Sequence, residues 1–251
     1  MKKIKRALIS VSDKNNLKKL LTVLSKYKIE LISSGGTYKT IKKLKFNCTE
    51  VSEYTGSPEI LNGRVKTLHP KIHAGILSKR NFKEHKRDLV KNNFSEIDLV
   101  VVNFYPFEEI LSFEKNHLKI IENIDIGGPT MVRAAAKNYN DVAVITNSKQ
   151  YDNLINELNL NKGKTSLNFR KQMSVEAFSE TAYYDSIISN YFNRLTKNNF
   201  SIKKTLPMNL IEKLRYGENP HQEGAIYSSK KQLEIKQIHG KKLSYNNYND
   251  I

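Results

Sequence analysis

Short apolar runs recur along the first part of the chain and predict the strands of a β-sheet. They occupy residues 5–11, 29–33, 97–107 and 141–146, and a weaker run, NCTEV, occupies 47–51. The run at 97–107, IDLVVVNFYPF, is apolar at consecutive positions, which is typical of a strand covered on both faces. Strands of this kind favour a parallel sheet.

Amphipathic segments separate these runs and predict helices. Leu17, Leu20, Leu21 and Leu24 recur at helical spacing and predict a helix over about 15–27. Ile41 and Leu44 mark a second helix, PTMVRAAAKN a third with proline in first position, and SKQYDNLINEL a fourth. Strands that alternate with helices indicate an α/β fold with an open, mainly parallel sheet and flanking helices.

The pattern changes in the last third of the chain. Residues 165–195 are helical in character throughout, and the polar segment 196–206 ends before Pro207. The segment after it is rich in Tyr, Asn, Gly and His, and it is too short to bury a core of its own. We therefore predict a domain at 1–196, a linker at 197–212 and the incomplete start of a second domain at 213–251.

Composition favours a folded protein of a reducing compartment. Hydrophobic residues make up 39% of the 251 positions, and no apolar run is long enough to span a membrane. The N-terminal segment lacks a signal-peptide pattern. A single cysteine, Cys48, excludes an internal disulfide framework and favours the cytoplasm.

The formal net charge of +17 raises the possibility of a nucleic-acid partner. The lysines, however, are scattered through helical segments together with many asparagines. No arginine-rich tract, zinc-finger spacing or helix-turn-helix pattern accompanies them. We favour solvated surfaces as the reason for the charge, then an anionic small-molecule site, and nucleic acid last.

Polar residues follow each predicted strand where it ends. In open parallel sheets, ligands bind beyond the carboxyl ends of the strands, so these clusters predict one site. The clusters are Ser10, Ser12, Asp13 and Lys14; Ser33, Ser34, Gly35, Gly36 and Thr37; Asn103, Tyr105 and Pro106; and Asp125, Gly127, Gly128 and Thr130.

The SSGGT segment at 33–37 opens a predicted helix and has two interpretations. Free backbone N–H groups at a helix start, with glycines that permit close approach, bind phosphate. Such a site needs added cations or hydroxyls, and Lys14, Ser34 and Thr37 are the candidates. A glycine turn with a Ser/Thr cap explains the segment equally well, and its spacing matches neither the Walker nor the dinucleotide motif.

The segment 62–77, NGRVKTLHPKIHAGIL, is also rich in functional side chains. Arg64, Lys66 and Thr67 fall in a predicted loop and suit phosphate or carbonyl contacts. His69 and His73 are four residues apart, but Pro70 interrupts a helix there and no companion ligand is evident nearby. The sequence therefore predicts no metal site.

Asp125 and Lys137 each have a structural and a chemical interpretation. Asp125 precedes the predicted helix, where it acts either as a helix N-cap or as a base against a ligand. Lys137 ends the same helix, where a cation is favourable in any case. The coincidence of several such residues at one sheet edge favours the chemical interpretation.

Five segments together resemble a known family. SVSDK, SSGGT, TGSPEILNGRVKTLHPKIHAGIL, NFYPF and IDIGGPTMVRAAAKN occur in the order found in the IMP cyclohydrolase domain of bifunctional purine-biosynthesis proteins. AFSETAYYDSIISNYF resembles the helical end of that domain. LRYGENPHQ and LSYNNYND resemble the start of the AICAR formyltransferase domain that follows it. The resemblance implies a methylglyoxal-synthase-like α/β fold.

The resemblance also implies a reaction and residue roles. Formyl-AICAR would close its pyrimidine ring with loss of water to give IMP. Lys66 and Tyr105 would act near the formyl oxygen, Asp125 on the carboxamide, and Lys137 in support of the charges. The nucleotide would be held, chiefly at its 5′-phosphate, by Ser10, Ser12, Lys14, Ser34, Gly35, Gly36, Thr37, Arg64 and Thr67, and at its base and ribose by Asn103, Asp125, Ile126, Gly127 and Gly128.

No metal or organic cofactor is implied for ring closure. Arg215 and Tyr216 match AICAR-contacting positions of the second domain, whose catalytic Lys-His pair is missing here. We therefore expect no formyl transfer from 10-formyltetrahydrofolate by this chain alone. We expect a purine nucleotide as substrate and a possible homodimer, and we expect neither a nucleic-acid nor a membrane partner. The alternative is a methylglyoxal-synthase-type lyase or an allosteric phosphate sensor, which leaves GRVKTLHP and NFYPF unexplained.

Overall fold

The computed structural model describes residues 1–197, 200–230, 233, 235 and 237–250. These residues form two compact units, of which the first is Met1–Ala182 and the second begins at Tyr183. The boundary between them falls inside a long helix, Leu167–Leu195, and not in the predicted linker at 197–212. Within the described residues, no helix is both long enough and apolar enough to cross a membrane.

The first unit is built on a five-stranded sheet whose paired strands are all parallel. Its spatial order is β4-β3-β2-β5-β6, with a separate antiparallel pair of β1 and β7. The strands are β1 (Lys2–Lys3), β2 (Arg6–Val11), β3 (Glu30–Ser33), β4 (Thr49–Glu50), β5 (Leu99–Asn103), β6 (Ala143–Ile145) and β7 (Lys164–Thr165).

Helices connect and cover these strands. They are α1 (Leu17–Lys26), α2 (Gly35–Lys43), α3 (Val51–Thr55), α4 (Pro70–Leu77), α5 (Lys83–Lys91), α6 (Phe107–Phe113), α7 (His117–Glu122), α8 (Gly127–Lys137), α9 (Tyr151–Leu160) and α10 (Leu167–Leu195). Short 3-10 turns occupy Leu61–Gly63 and Ser148–Gln150. The α/β fold with a parallel sheet is thus confirmed.

The strand order determines where a ligand can bind. β2 lies between β3 and β5, so the chain leaves β2 in one direction and later returns to its other side. Where the connections leave a strand on its two opposite sides, the loops at the carboxyl ends of the strands separate. A crevice then opens between these loops. The core strands beneath it are buried, as at Leu8, Ile32 and Val101.

Several predicted boundaries were wrong. The strand predicted at 97–107 ends at Asn103, because Pro106 cannot donate to a ladder and α6 begins at Phe107. The run at 47–51 contributes only Thr49–Glu50. The third helix begins at Gly127, not at Pro129; proline is tolerated in a first turn, whose N–H groups lack intrahelical acceptors.

Pro70 starts a helix, contrary to its predicted role as a helix breaker. It is the first residue of α4, and His69 precedes it as the N-cap. The His69 Nδ1 atom accepts a hydrogen bond from the Lys71 N–H at 3.1 Å. Proline suits the first helical position because its fixed φ is already helical and no N–H is lost from the ladder.

The second unit contains an antiparallel pair, β8 (Asn209–Lys213) and β9 (Ala225–Ser228), and a short helix α11 (Tyr245–Asn249). β8 therefore begins within the segment predicted as linker. Ser244 and Asn247 form a capping box at the start of α11. Arg215 and Tyr216 follow β8, with the guanidinium carbon 4.9 Å from the centre of the Tyr216 ring.

Candidate functional site

A cavity of about 740 Å³ lies at the carboxyl ends of β2, β3 and β5, within the range typical of small-molecule sites. Every residue to which the resemblance assigns a role in the first domain lines this cavity except Lys137, whereas Asp13, Ser33, Pro106 and Thr130 of the predicted polar clusters do not. The lining residues from the prediction are Ser10, Ser12, Lys14, Ser34, Gly35, Gly36, Thr37, Arg64, Lys66, Thr67, Asn103, Tyr105, Asp125, Ile126, Gly127 and Gly128.

Asn103 organises the loop that follows β2. It ends β5 directly beside Val11 of β2, so its side chain reaches the neighbouring loop. Its Oδ1 accepts hydrogen bonds from the Ser12 N–H at 2.6 Å, the Ser12 hydroxyl at 2.8 Å and the Asp13 N–H at 3.0 Å. Its Nδ2 donates to the Asp13 carbonyl at 3.1 Å. These bonds fix Ser12 at the edge of the cavity.

Thr37 ties the start of α2 to the end of β2. Its hydroxyl donates to the Val11 carbonyl at 2.9 Å and accepts from the Val11 N–H at 3.0 Å, and the residue is buried. The hydroxyl is therefore occupied within the protein, and the backbone N–H is the group that Thr37 offers to a ligand. Gly35, Gly36 and Thr37 form the first turn of α2, whose N–H groups have no intrahelical acceptors.

The segment 59–67 is a tight loop that turns three side chains onto the cavity. Ile60 and Val65 form an antiparallel bridge, with N–H to carbonyl distances of 3.2 and 3.4 Å. Arg64, Lys66 and Thr67 follow the turn and line the cavity. The sequence had placed them in a loop, but the narrow bridge depends on backbone conformations that the pattern does not reveal.

Both cations of this loop are paired with carboxylates. The Lys66 Nζ lies 2.9 Å from the Glu59 Oε1. The Arg64 guanidinium donates to both oxygens of Glu122 in α7, at 2.6 and 3.2 Å. Glu59 and Glu122 were absent from the predicted site. Glu59 lies within the segment TGSPEILNGRVKTLHPKIHAGIL that carries the resemblance, but its pairing and that of Glu122 depend on the loop geometry.

Asp125 has the environment of a general base. Its Oδ1 accepts from the Gly128 N–H at 2.8 Å, and a Cβ at position 128 would overlap the carboxylate. Burial raises the pKa of Asp125 above its ordinary value, although hydrogen bonds from the backbone N–H groups of Gly128 and Tyr105 oppose that shift. A carboxylate with a raised pKa accepts a proton more readily near neutral pH.

The two histidines of 62–77 have structural positions. His69 caps α4 through its Nδ1 atom. Burial lowers the pKa of His73, and a hydrogen bond with the backbone of Thr67 opposes the shift. Among the residues that the structure describes, no group of three or more His, Cys, Asp or Glu side chains is arranged to hold a metal ion.

Lys137, Arg215 and Tyr216 are not among the residues that line the cavity. Lys137 is exposed in the last turn of α8, the helix that begins with the cavity-lining Gly127. Arg215 and Tyr216 belong to the second unit. Their roles remain predictions.

The charge of the cavity suits an anionic ligand. Three cations line it, Lys14, Arg64 and Lys66, against two carboxylates, Glu122 and Asp125. The cations and the N-terminal turn of α2 come from segments next to one another in the sheet order.

Two family models match the chain. The AICARFT/IMPCHase bienzyme model matches residues 135–251, and the MGS-like domain model matches residues 16–130. The chain also resembles the crystal structure of ForH, with a TM-score of 0.67 and 28% identity, over 75% of this chain and 99% of that one.

Curated relatives match the chain from end to end. The bifunctional purine biosynthesis protein PurH of Bradyrhizobium diazoefficiens is 45% identical over 253 residues, covering 99% of this chain and 48% of the relative. PurH of Rippkaea orientalis is 48% identical over 257 residues, covering 98% and 49% respectively. The chain thus spans about half the length of these relatives.

Proposed function

This chain belongs to the AICARFT/IMPCHase bienzyme family, and from that premise we propose that its first unit is an IMP cyclohydrolase. The substrate would be formyl-AICAR, 5-formamidoimidazole-4-carboxamide ribonucleotide, and the product IMP. The observation that carries the proposal is the convergence in one cavity of a phosphate-type helix start, three cations and the Asp125 carboxylate.

The 5′-phosphate would bind at the first turn of α2. The N–H groups of Gly35, Gly36 and Thr37 would supply donors, and the hydroxyls of Ser10, Ser34 and Thr67 would add to them, whereas the Ser12 hydroxyl already donates to Asn103. A helix start contributes about 0.3–1 kcal/mol to binding an anion, so a doubly charged phosphate also requires cations. Lys14 and Arg64 line the same cavity and would supply them.

The base and ribose would lie towards α8. Ile126, Gly127 and Gly128 form one side of the cavity there. Asn103 would line the same region, and its amide group also holds the Ser12–Asp13 backbone. This bonding supports a positioning function for Asn103 in addition to any contact with the ligand.

Ring closure joins the carboxamide nitrogen to the formyl carbon. The nitrogen loses a proton and the formyl oxygen gains one, which gives a ring with a hydroxyl on the former formyl carbon. The hydroxyl then leaves as water with the proton of the formamido nitrogen, and a C=N bond forms. Both reacting groups are attached to the same imidazole, so the enzyme has only to select the reactive rotamer and move protons. Asp125 would take the amide proton, while Lys66 and Tyr105 would donate to the oxygen.

The remaining expectations belong to the same proposal. Ring closure by these residues would use no cofactor, and Lys137 would support the charges. A complete protein of the family would formylate AICAR with 10-formyltetrahydrofolate, and Arg215 and Tyr216 would contact AICAR in that reaction. The proposed setting is the cytoplasm, with a homodimer as a possible assembly and no nucleic-acid or membrane partner.

The test is spectrophotometric cyclisation of formyl-AICAR. Wild type should form IMP, and Lys66→Ala and Asp125→Asn should each lose about 10²–10⁴-fold in kcat. A folded wild type that binds phosphate without cyclising the substrate would instead favour a phospho-ligand sensor. With AICAR and 10-formyltetrahydrofolate, production of formyl-AICAR by this chain would contradict the expected lack of formyl transfer.

A further inference from the structure

Glu59 contacts Lys66 although it does not line the cavity. The Glu59 Oε1 lies 2.9 Å from the Lys66 Nζ, and the two side chains are 43% and 29% exposed. They flank the Ile60–Val65 bridge, which brings the two ends of the loop side by side. The pair is thus a product of the loop, not of proximity in sequence alone.

The backbone of this loop is unusual at its tip. Leu61 and Asn62 have φ of 53°, and Gly63 has φ of 90°, so three successive residues are left-handed. Leucine rarely adopts this conformation, because its Cβ approaches the backbone carbonyl. Strained backbone that persists in a native structure is concentrated at functional sites.

Gly63 has no side chain, and the Glu59–Lys66 pair occupies the space that a side chain there would fill. A Cβ at position 63 would overlap the Glu59 Oε1 and would lie 2.8 Å from Cε and 2.9 Å from Nζ of Lys66. A Cβ at Gly35 would lie 3.3 Å from the same Nζ. The ammonium group therefore lies between the loop tip and the first residue of α2.

That location is unfavourable for an isolated cation. The start of a helix carries a partial positive charge, and Arg64 and Lys14 line the same cavity. A lysine side chain has a flexible four-carbon stem, so its ammonium group would move away unless something holds it. The Glu59 carboxylate is the opposite charge in contact with it.

We infer that Glu59 is a positioning residue that holds the Lys66 ammonium group beside Gly35, at the place where the anionic substrate binds. This inference rests on the proposed cyclohydrolase function for its kinetic consequences, but the contact itself does not. Glu59 touches no reacting atom; it acts through Lys66. When the substrate binds, the ammonium group that Glu59 holds would donate to the formyl oxygen.

A purely structural pair would behave differently. Partly exposed ion pairs contribute little to stability, so removing the carboxylate should leave the fold intact. If Glu59 only fastened the loop, its removal would change activity whether or not Lys66 were present. If it positions Lys66, the effect must disappear once Lys66 is gone.

The experiment compares Glu59→Gln with Glu53→Gln, which removes the same charge from an exposed position in α3. We expect Glu59→Gln to lower kcat by about 10- to 100-fold, since small misplacement of a reacting group can cost that much, and Glu59→Asp to restore part of the loss. Glu53→Gln should stay within about twofold of wild type. Thermal melts identify any unfolded variant.

The second arm uses Lys66→Met as the background. Glu59→Gln added to Lys66→Met should change activity by less than about twofold, whereas an equal loss in both backgrounds would overturn the inference. Glu59→Gln with the activity of Glu53→Gln would overturn it as well.

A third arm is independent of catalysis. Trinitrophenylation of Lys66, followed by peptide mapping, should be about two- to fivefold faster in Glu59→Gln than in wild type or Glu53→Gln. An unchanged labelling rate would refute the contact even in an active enzyme. If wild type proved inactive while the labelling difference appeared, the proposed function would fail and the positioning of Lys66 would stand.

Discussion

Arg64 and Glu122 form a two-point ion pair between the 59–67 loop and α7. The Arg64 Nη2 and Nε atoms lie 2.6 and 3.2 Å from separate oxygens of the Glu122 carboxylate. Both side chains line the cavity and are 62% and 58% exposed. The cation that we propose for phosphate binding is therefore already paired, so a phosphate ligand would have to compete with Glu122 for it.

Glu122→Gln should tighten binding of IMP. An exposed ion pair is worth about 0–1 kcal/mol, so the dissociation constant should fall by up to about fivefold, as measured by calorimetry. Glu109→Gln, an exposed change in α6, is the control for the loss of one negative charge. The difference should shrink in about 1 M salt, where exposed charges are screened. Weaker binding by Glu122→Gln would mean that Glu122 orients Arg64.

Asp125→Asn should lose about 10²–10⁴-fold in kcat but be more stable than wild type at neutral pH. Burial raises the pKa of Asp125 above 3.8, so the folded protein loses stability as pH rises through that raised value. Asparagine carries no charge and can still accept from the Gly128 N–H. Melting temperatures from about pH 4 to pH 8 should show a gain for the variant that grows with pH and then levels off. A gain that was largest at acidic pH would contradict the raised pKa.

Gly128→Ala should reduce activity with little effect on the fold. An added Cβ would overlap the Asp125 carboxylate, which must then move away from its backbone donors. Displacement of a reacting group by about 1 Å can cost about 10²-fold, so kcat should fall on that order. Thr130→Ala is the control, because it changes an outward position of α8, the helix that contains Gly128. Gly56→Ala is unsuitable as a control because the φ of Gly56 is 75°. Full activity in Gly128→Ala would mean that this carboxylate position is not required.

Thr37→Val should destabilise the protein. Valine has nearly the same shape but leaves the Val11 N–H and carbonyl without the hydroxyl that now bonds both. Buried polar groups left unpaired cost about 1–3 kcal/mol, which denaturant unfolding can measure. Thr37→Ser should recover most of the loss. Thr40→Val, which removes a hydroxyl bonded within an exposed turn of α2, should change stability by less than about 0.5 kcal/mol.

The strands and the main helices were predictable because buried residues recur along each element at the spacing that its helical or extended backbone imposes. Leu17, Leu20, Leu21 and Leu24 are all buried on one side of α1, as their spacing indicated. The ends of elements were less predictable. Asn103 ends β5 and Pro70 starts α4 because of the backbone and capping properties of individual residues. A hydrophobic pattern does not register these properties.

The sequence by itself determined which polar groups reach the carboxyl edge of the sheet, because parallel strands that alternate with helices all end on that side. Only the tertiary structure decided what each group does there. The hydroxyl of Thr37 and the amide of Asn103 bond backbone at Val11, Ser12 and Asp13, while Lys66 and Arg64 are paired with Glu59 and Glu122. These pairings depend on the register of the strands and on the left-handed backbone of the 59–67 loop. A hydrogen bond or an ion pair forms only where the register and the loop bring the two groups to within about 3 Å of each other.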